Sequence, residues 1–225
     1  MTLVDYYSRR AGEYERIYQK PERQEELRQL TGLLQENVRG RRAIEVACGT
    51  GYWTQVAATS ATSLVAFDIN ETVLQLARAK FIDPRKATFA RADAYCPSVC
   101  PERLDAAFAM FWWSHVPRAK RRGFLAALHS VLVPGAVVAF VDNTFVPGES
   151  TPIARTDPEG NTYQTRKLED GRKFEVLKNF PGDGEFRELL SGRADQIEFR
   201  ALRYYWWLTY RLKGAGRPVS SGNLS

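Results

Sequence analysis

The sequence has few of the residues that cross-link small proteins or bind metals: its 225 residues include three cysteines and two histidines. An odd number of cysteines without dense spacing argues against a disulfide framework. Cys96 and Cys100 have a spacing that a metal site could use, yet no second pair of ligands follows them. We therefore expect two loop thiols and no bound metal.

Long hydrophobic runs are also missing. No stretch reaches the roughly 18 or more apolar residues that cross a bilayer, and the sequence does not resemble a secretory signal. Apolar residues make up 44% of the chain, which is ample for a buried core. We expect a cytoplasmic protein without membrane contact, and the length suits one α/β domain with additions.

Positive charge is in excess but is not concentrated. Lysine and arginine total 32 against 26 acidic residues, giving a formal net charge of +6. The basic residues are scattered, with small clusters at 39–42 and 118–122 that suit helix ends on a solvated face. No nucleic-acid-binding module is recognisable. Nucleic acid is therefore the alternative partner rather than the expected one.

The segment 43–54 is the most informative part of the sequence. A short apolar run carries one acid, Glu45, and ends at two glycines one residue apart, Gly49 and Gly51. A second apolar run ends at another acid, Asp68. This order of strand, glycine turn, helix, strand and acid predicts a nucleoside-binding crevice at the carboxyl edge of a parallel sheet.

A missing glycine narrows the choice of ligand. A dinucleotide site has a third glycine three residues after the second, and Thr54 occupies that position here. The turn lets a ligand approach the backbone closely but lacks the phosphate-binding pattern. Glu45, four residues before the first glycine, adds negative charge that suits a sulfonium or an ammonium. The sequence thus predicts a nucleoside with a positive centre and no phosphate.

Five motifs follow one another at suitable spacings along the first two thirds of the chain. They are the acid Glu45 with Gly49 and Gly51, the acid Asp68, the pair Asp93-Ala94, the fourth strand with its loop from Leu104 to Trp113, and the turn Leu132-Val133-Pro134-Gly135. In this order they resemble the class I S-adenosylmethionine-dependent methyltransferases of the small-molecule type. The last of these motifs, the turn that ends at Gly135, is followed by Ala136, where the family usually has a second glycine.

The resemblance implies an α/β, Rossmann-like fold. Its sheet is expected to be mostly parallel and seven-stranded, with an antiparallel C-terminal strand pair and an inserted β-hairpin. We expect one methyltransferase domain over 1–213, with an N-terminal helical cap at 1–40 and a flexible tail at 214–225. The hairpin insertion at 144–180 either covers the substrate or builds a dimer contact. The protein is expected to be a monomer or a homodimer.

The resemblance also implies which residues bind S-adenosylmethionine. The expected cofactor site comprises Tyr18, Arg23, Glu45, Ala47, Gly49, Gly51, Asp68, Ile69, Asp93, Ala94 and Phe111. Asp68 is expected to bond the ribose hydroxyls, since Asn70 is better placed to cap the next helix, and Asp93 to bond the adenine amino group. Glu45 either lies near the methionyl ammonium or is a buried acid bonded to backbone amides. Arg23 pairs with the cofactor carboxylate or is a solvated charge.

The aromatic segment 111–115 follows strand four and is expected to face the transferred methyl group. The expected acceptor pocket comprises Tyr6, Tyr14, Trp112, Trp113 and His115. Aromatic walls exclude water and favour a cationic or planar acceptor. Because an unperturbed histidine titrates near neutrality, His115 is the candidate catalytic base; alternatively, it caps the next helix or bonds a loop carbonyl.

Periodicity and turn residues predict the elements. Helices are predicted at 21–38, 52–58, 71–81, 118–131 and 183–190. Strands are predicted at 43–47, 63–67, 87–90, 106–111, 136–141, 196–202 and 205–211, with a hairpin of 162–167 and 172–178. Asn70 is the predicted N-cap of the third helix, whose Phe81 is expected to face inward. An N-terminal helix carrying Tyr7, Tyr14 and Tyr18 on one face is expected either to cover the cofactor or only to pack on the sheet.

The sequence favours a methyltransferase that acts on O or N of a small organic acceptor, in the biosynthesis of a secondary metabolite. An RNA methyltransferase is the alternative enzyme. A module that binds S-adenosylmethionine without turnover is the alternative from another class, because methyl transfer from a sulfonium needs positioning more than dedicated catalytic residues.

Overall fold

The structure is a computed structural model that describes residues 3–97, 99 and 102–214. The α-helices are α1 (Leu3–Arg10), α2 (Gln24–Val38), α3 (Tyr52–Ala58), α4 (Glu71–Arg78), α5 (Arg121–Ser130) and α6 (Asp183–Leu190). The strands are β1 (Arg42–Val46), β2 (Ser63–Asp68), β3 (Ala87–Arg91), β4 (Leu104–Met110), β5 (Leu132–Asn143), β6 (Ile153–Thr156), β7 (Thr162–Lys167), β8 (Lys173–Leu177), β9 (Ala194–Ala201) and β10 (Tyr205–Leu212). Short 3-10 helices cover Ala11–Gln19, Pro21–Arg23, Trp113–His115 and Arg118–Lys120.

A seven-stranded sheet in the order β3-β2-β1-β4-β5-β10-β9 forms the centre of the fold. The first five strands are parallel, and β10 pairs antiparallel with both β5 and β9. The predicted Rossmann-like sheet with an antiparallel C-terminal pair is thus confirmed. Strand order reverses between β1 and β4, which is where parallel α/β sheets place their ligands.

Helices cover both faces of this sheet. Side chains of α2 and α3 pack with Phe108 and Trp207 on one face, and those of α5 and α6 pack with Phe140 and Trp206 on the other. Neighbouring residues of β10 therefore point to opposite faces. Because both faces are buried, β4 is apolar at nearly every position.

A second, three-stranded antiparallel sheet contains the predicted hairpin. The strand order of this sheet is β6-β7-β8. Strands β7 and β8 form the hairpin, and Gly171 lies in its turn with a φ of +85°. The third strand, β6, was not predicted because all four of its residues are exposed, so it lacks an apolar pattern. Tyr6 of α1 packs on Phe174 and Val176 of this sheet, which joins the N-terminal segment to the insertion.

One helix boundary differs from the prediction. The helix predicted over 71–81 ends at Arg78, and Phe81 is fully exposed rather than inward-facing. The backbone amide of Lys80 bonds to the carbonyl of Ala77, a tighter turn that ends the helical face before Phe81. Asn70 is the N-cap as predicted, since its side chain accepts a hydrogen bond from the Thr72 amide.

Several sequence expectations concern residues that the structure does not describe. Cys100 and residues 215–225 of the predicted tail lie outside the described part of the chain. Within that part, no helix is long and apolar enough to cross a membrane.

Candidate functional site

A cavity of about 290 Å³ opens at the carboxyl ends of the parallel strands. Its floor and walls include Ala47, Gly49, Asp68, Asp93, Phe111 and Trp112. Leu3, Val4 and Tyr7 of α1 line the opposite side. The cavity therefore lies between the sheet edge and the N-terminal segment, and its surface is mainly apolar.

Asp68 brings a carboxylate to this cavity at the end of β2. Its Oδ2 accepts a hydrogen bond from the Gly49 amide at 3.0 Å, and its Oδ1 accepts one from the Asn70 amide at 2.9 Å. Burial raises the pKa of Asp68, although these backbone amides act in the opposite direction. The two amides fix the carboxylate, and each oxygen retains a lone pair that can accept from a ligand hydroxyl.

Asp93 follows β3 on a more exposed part of the rim. Its Oδ1 accepts a hydrogen bond from the Tyr95 amide at 2.9 Å. The turn beginning at Asp93 places Ala94 and Tyr95 against the cavity. This second carboxylate and Asp68 thus end neighbouring strands, β3 and β2, on the same cavity.

Two non-glycine residues with left-handed backbones lie at the same edge. Ala47 follows β1 with a φ of +53°, and Phe111 follows β4 with a φ of +64°. Such conformations cost of order 1–3 kcal/mol each and cluster at ligand sites. The strained backbone lies in the turns that direct both residues into the cavity. The residue types, alanine and phenylalanine, do not predict it.

A second cavity of about 210 Å³ adjoins the first and shares Tyr7, Tyr14, Phe111 and His115 with it. Its remaining walls come from the N-terminal segment, the loop after β5 and strands β7 and β8. Five cationic side chains line it, with one acid, Glu149, among the lining residues. These cations are Arg10, Lys20, Arg23, Arg166 and Lys178. The two cavities meet at an aromatic wall. The first is called the apolar cavity and the second the basic cavity.

The comparisons with known proteins agree with this arrangement. A family model described as a methyltransferase domain matches residues 43–135. A solved structure described as a DhpI-SAH complex is 28% identical, with a TM-score of 0.75, over 94% of this chain and 96% of that one. A DhpI-SAM-HEP complex is also 28% identical, with a TM-score of 0.74, over 92% and 95% of the two chains.

The family model and these two complexes together support a class I S-adenosylmethionine-dependent methyltransferase. The PH0226 protein from Pyrococcus horikoshii shares the fold at 17% identity, with a TM-score of 0.68, over 89% of this chain and 99% of that one. No curated protein matches the sequence.

His115 of the methyltransferase lies in the wall between the two cavities. Its Nδ1 is 2.6 Å from the Leu177 carbonyl oxygen, and its Nε2 is 2.8 Å from the Tyr7 hydroxyl. A carbonyl only accepts, so Nδ1 carries the proton and Nε2 accepts from Tyr7. Burial, reinforced by the nearby charge of Lys178, lowers the pKa of His115 to about 3. The imidazole is therefore neutral, and its one basic nitrogen is bonded to Tyr7.

Lys178 links the second sheet to the central one beneath the basic cavity. Its buried Nζ is 2.7 Å from Asp142 Oδ1 and donates to the Ser114 hydroxyl at 2.8 Å. The Ser114 amide donates to the other oxygen of Asp142 at 2.9 Å. Burial acts to raise the pKa of Asp142, but Lys178, His115 and the hydrogen bond from the Ser114 amide together hold the pKa below its usual value. The two members of this pair are 36 residues apart, so no local sequence pattern connects them.

Most of the predicted site residues are brought together. The apolar cavity is lined by Ala47, Gly49, Asp68, Ile69, Asp93, Ala94, Trp112 and, shared with the basic cavity, Tyr14, Phe111 and His115. The basic cavity is additionally lined by Tyr6 and Arg23. Arg23 lies over the rings of Tyr204 and Tyr205 there. Among the described residues, neither lining includes Tyr18, Glu45, Gly51 or Trp113.

The prediction that Trp113 lines the acceptor pocket is wrong. Its side chain is fully buried and packs on Phe140 and Phe186, with ring centroids 5.2 and 4.9 Å away. The 3-10 turn after β4 directs consecutive aromatic residues to different sides, so Trp112 reaches the cavity and Trp113 the core. Sequence spacing without the turn geometry did not separate the two.

Tyr18 and Glu45 support the cavity wall from behind. Tyr18 stacks on Tyr52 at 4.1 Å, and its hydroxyl accepts from the Trp53 indole at 3.1 Å. Glu45 is buried in β1 and accepts from the Thr54 hydroxyl at 2.5 Å. Burial raises the pKa of Glu45 to about 8. Its hydrogen-bond partner is thus a side chain of α3 rather than the glycine-loop amides.

Gly51 has a packing role in the structure. It has a φ of +79°, and a Cβ built on it would lie 3.0 Å from the Cβ of Ala77. The absence of a side chain therefore lets the start of α3 approach α4 closely.

Proposed function

We propose that this methyltransferase transfers a methyl group to an oxygen or nitrogen of a small organic acceptor bound in the basic cavity, in the biosynthesis of a secondary metabolite. One observation carries the proposal: the apolar and basic cavities meet at the shared wall of Tyr7, Tyr14, Phe111 and His115. A volume of about 210 Å³ suits a small molecule rather than a polymer. The N-terminal segment and the hairpin insertion, which both line that cavity, would cover the acceptor.

The apolar cavity has groups that fit the nucleoside of S-adenosylmethionine. Asp68, held by two backbone amides, would accept hydrogen bonds from the ribose hydroxyls. Asp93 and Ala94, on the next strand end, would border the adenine. When bound, the cofactor supplies a methyl group already activated by a sulfonium. The chain then has to orient the acceptor and exclude water.

His115 is assigned here to orientation rather than to proton removal. Its basic nitrogen already accepts from Tyr7, and it is neutral at physiological pH. Tyr7 lines both cavities, so the pair would fix the phenol at the place where the acceptor meets the methyl group. An acceptor that is nucleophilic in its bound state needs no further base.

Cofactor binding is tested by calorimetry with S-adenosylhomocysteine. Asp68→Ala should weaken binding by on the order of 1–3 kcal/mol, because it removes hydrogen bonds to a charged acceptor. Asp195→Ala is the matched control, since Asp195 pairs with Lys213 on the surface. Equal affinity in the Asp68→Ala variant and the wild type would remove the ribose assignment.

The acceptor class is tested by incubating cell extract with the protein and a cofactor bearing a deuterated methyl group. Mass spectrometry should find the label in a small metabolite. Label found only in RNA would establish the alternative enzyme. Cofactor binding without any labelled product would instead favour a non-catalytic module.

A further inference from the structure

The basic cavity has an excess of positive charge that the protein itself does not neutralise. Within residues 3–97, 99 and 102–214, Arg10, Arg23 and Arg166 form no ion pair. The acid in the lining, Glu149, is paired with Arg203 at 2.5 Å. Lys178 is paired with Asp142. Among the described residues, the unpaired charge in the lining is therefore that of the three arginines and of Lys20.

Neutral groups hold two of these arginines in place. Arg166 donates to Gln164 Oε1 at 2.5 Å. Arg10 donates to the Tyr6 hydroxyl at 2.9 Å and lies over the Tyr6 and Tyr14 rings at 5.7 and 5.4 Å. Each guanidinium carries five N–H donors. Both are therefore oriented by groups that leave their charge and several donors available.

The positive charges are close enough to act on one another. Burial lowers the pKa of Arg166, and the charge of Arg10 acts in the same direction. Burial likewise lowers the pKa of Lys178; Asp142 opposes this effect, whereas Arg166 and Arg10 add to it. At the other end of the cavity, the buried Nε of Arg23 has no hydrogen-bond partner among the described residues. Partly burying like charges side by side is costly unless a counter-charge joins them.

We infer that the basic cavity is an oxyanion site and that the methyl acceptor is a small molecule carrying a phosphate or carboxylate group, bound by Arg10 and Arg166. This inference rests on the proposed function and names its substrate class. Guanidinium forks match both groups, because two parallel N–H donors can bond two oxygens. An acceptor anchored in this way would extend from the arginines toward Tyr7 and His115 at the wall shared with the cofactor cavity.

In the experiment, the protein is first saturated with S-adenosylhomocysteine. It is then titrated with inorganic phosphate, sulfate or acetate at constant ionic strength. Calorimetry and thermal unfolding should show saturable binding of at least one anion. Preference for phosphate over acetate would identify a phosphate-bearing acceptor, and the reverse a carboxylate-bearing one. Methylammonium serves as the cationic control and should not bind.

Two variants assign the site. Arg166→Gln and Arg10→Gln should each weaken anion binding at least tenfold while leaving S-adenosylhomocysteine affinity within about twofold of the wild type. Arg155→Gln is the matched control, because Arg155 lies on the same small sheet, is exposed, and pairs with Glu175 outside the cavity. Arg166→Lys, which keeps the charge but not the fork, should bind with intermediate affinity and gives a second readout should one glutamine variant fail to fold.

The outcomes separate this inference from the proposed function. Failure of all three anions to bind a protein that does bind S-adenosylhomocysteine would overturn the oxyanion site and leave methyl transfer standing. Anion binding that is equal in the wild type and both glutamine variants would also overturn it. Failure of the wild type to bind S-adenosylhomocysteine would instead remove the proposed function.

Discussion

Three titratable side chains near the carboxyl ends of the strands have different surroundings. Asp68 is held by two backbone amides at the cavity. Glu45 is buried with one hydroxyl donor, and His115 is buried between a carbonyl and a phenol. Burial disfavours the charged form in each case, and at Asp68 the hydrogen bonds from backbone amides oppose this effect.

Glu45 should make ligand-free protein less stable as the pH rises. The pKa is about 8 in the folded protein against an ordinary value of 4.5. Stability from the protonated acid is thus complete below pH 4.5 and is lost as the pH rises toward 8. The Glu45→Gln side chain cannot ionise, so the variant should not lose this stability as the pH rises. The unfolding free energy of the variant, taken relative to that of the wild type, should therefore rise by more than about 1 kcal/mol between pH 4.5 and pH 8.

Urea unfolding of both proteins at pH 5 and pH 8.5 measures this change. All other titrating groups are common to the two proteins, so the difference between them isolates Glu45. A difference in unfolding free energy that stays constant with pH would show that Glu45 is ionised in the folded protein.

The protonation of His115 can be observed directly, because the chain has two histidines. With its pKa lowered to about 3, His115 should keep the nitrogen and carbon shifts of a neutral ring from pH 5 to pH 8 in NMR spectra. Those shifts should identify the tautomer protonated at Nδ1. His115→Asn assigns the signals by removing one set. Titration of the His115 ring near pH 6.5 would contradict the buried neutral state.

At the scale of secondary-structure elements, the glycine turn does two separate things. Gly49 gives its amide to Asp68, whereas Gly51 lets α3 and α4 come close. A single motif in the sequence therefore combines a ligand-facing group with a helix-packing requirement. The two can be distinguished experimentally because only one concerns the cavity.

Gly51→Ala should be more destabilising than Gly148→Ala. Both glycines have a φ near +80°, but an added Cβ meets Ala77 at 3.0 Å in the first case and nothing within 4 Å in the second. Each should lose about 1–2 kcal/mol for the left-handed conformation, and Gly51→Ala about 1–3 kcal/mol more for overpacking. Urea denaturation of the two variants measures the difference. Equal losses of unfolding free energy would show that α4 moves away from the added Cβ without an energetic penalty.

The elements of the central sheet were predictable because their signals are local. The apolar runs of β4 and β10 reflect burial on both faces. Strand β6 and the separation of Trp112 from Trp113 were not predictable in this way. The first has no buried residue, and the second depends on a 3-10 turn whose direction no residue type specifies.

At the scale of the whole molecule, the basic cavity arises from segments far apart in the sequence. Arg10 comes from α1, Arg166 from β7 and Lys178 from the residue after β8. Each residue alone resembles an ordinary solvated charge. Folding creates this cavity, so local sequence patterns predicted many residues that line the apolar cavity but not the charge of the basic one.

Binding of S-adenosylhomocysteine should order the N-terminal segment. Leu3, Val4 and Tyr7 line the apolar cavity, so a ligand bound there would add contacts to α1. Amide hydrogen exchange over 3–19 should slow at least several-fold on binding. Peptides of α6, whose residues do not line either cavity, serve as the control. Unchanged exchange over 3–19 with the ligand bound would show that this segment does not close the site.

The shared position of Tyr7 has a kinetic consequence. Because Tyr7 borders both cavities, we expect the cofactor and the acceptor to enter, and both products to leave, past the same segment. Turnover should therefore depend on how often α1 detaches from the small sheet at Phe174 and Val176. Solvent viscosity should slow the steady-state rate, whereas the first turnover of preloaded enzyme should be insensitive to it.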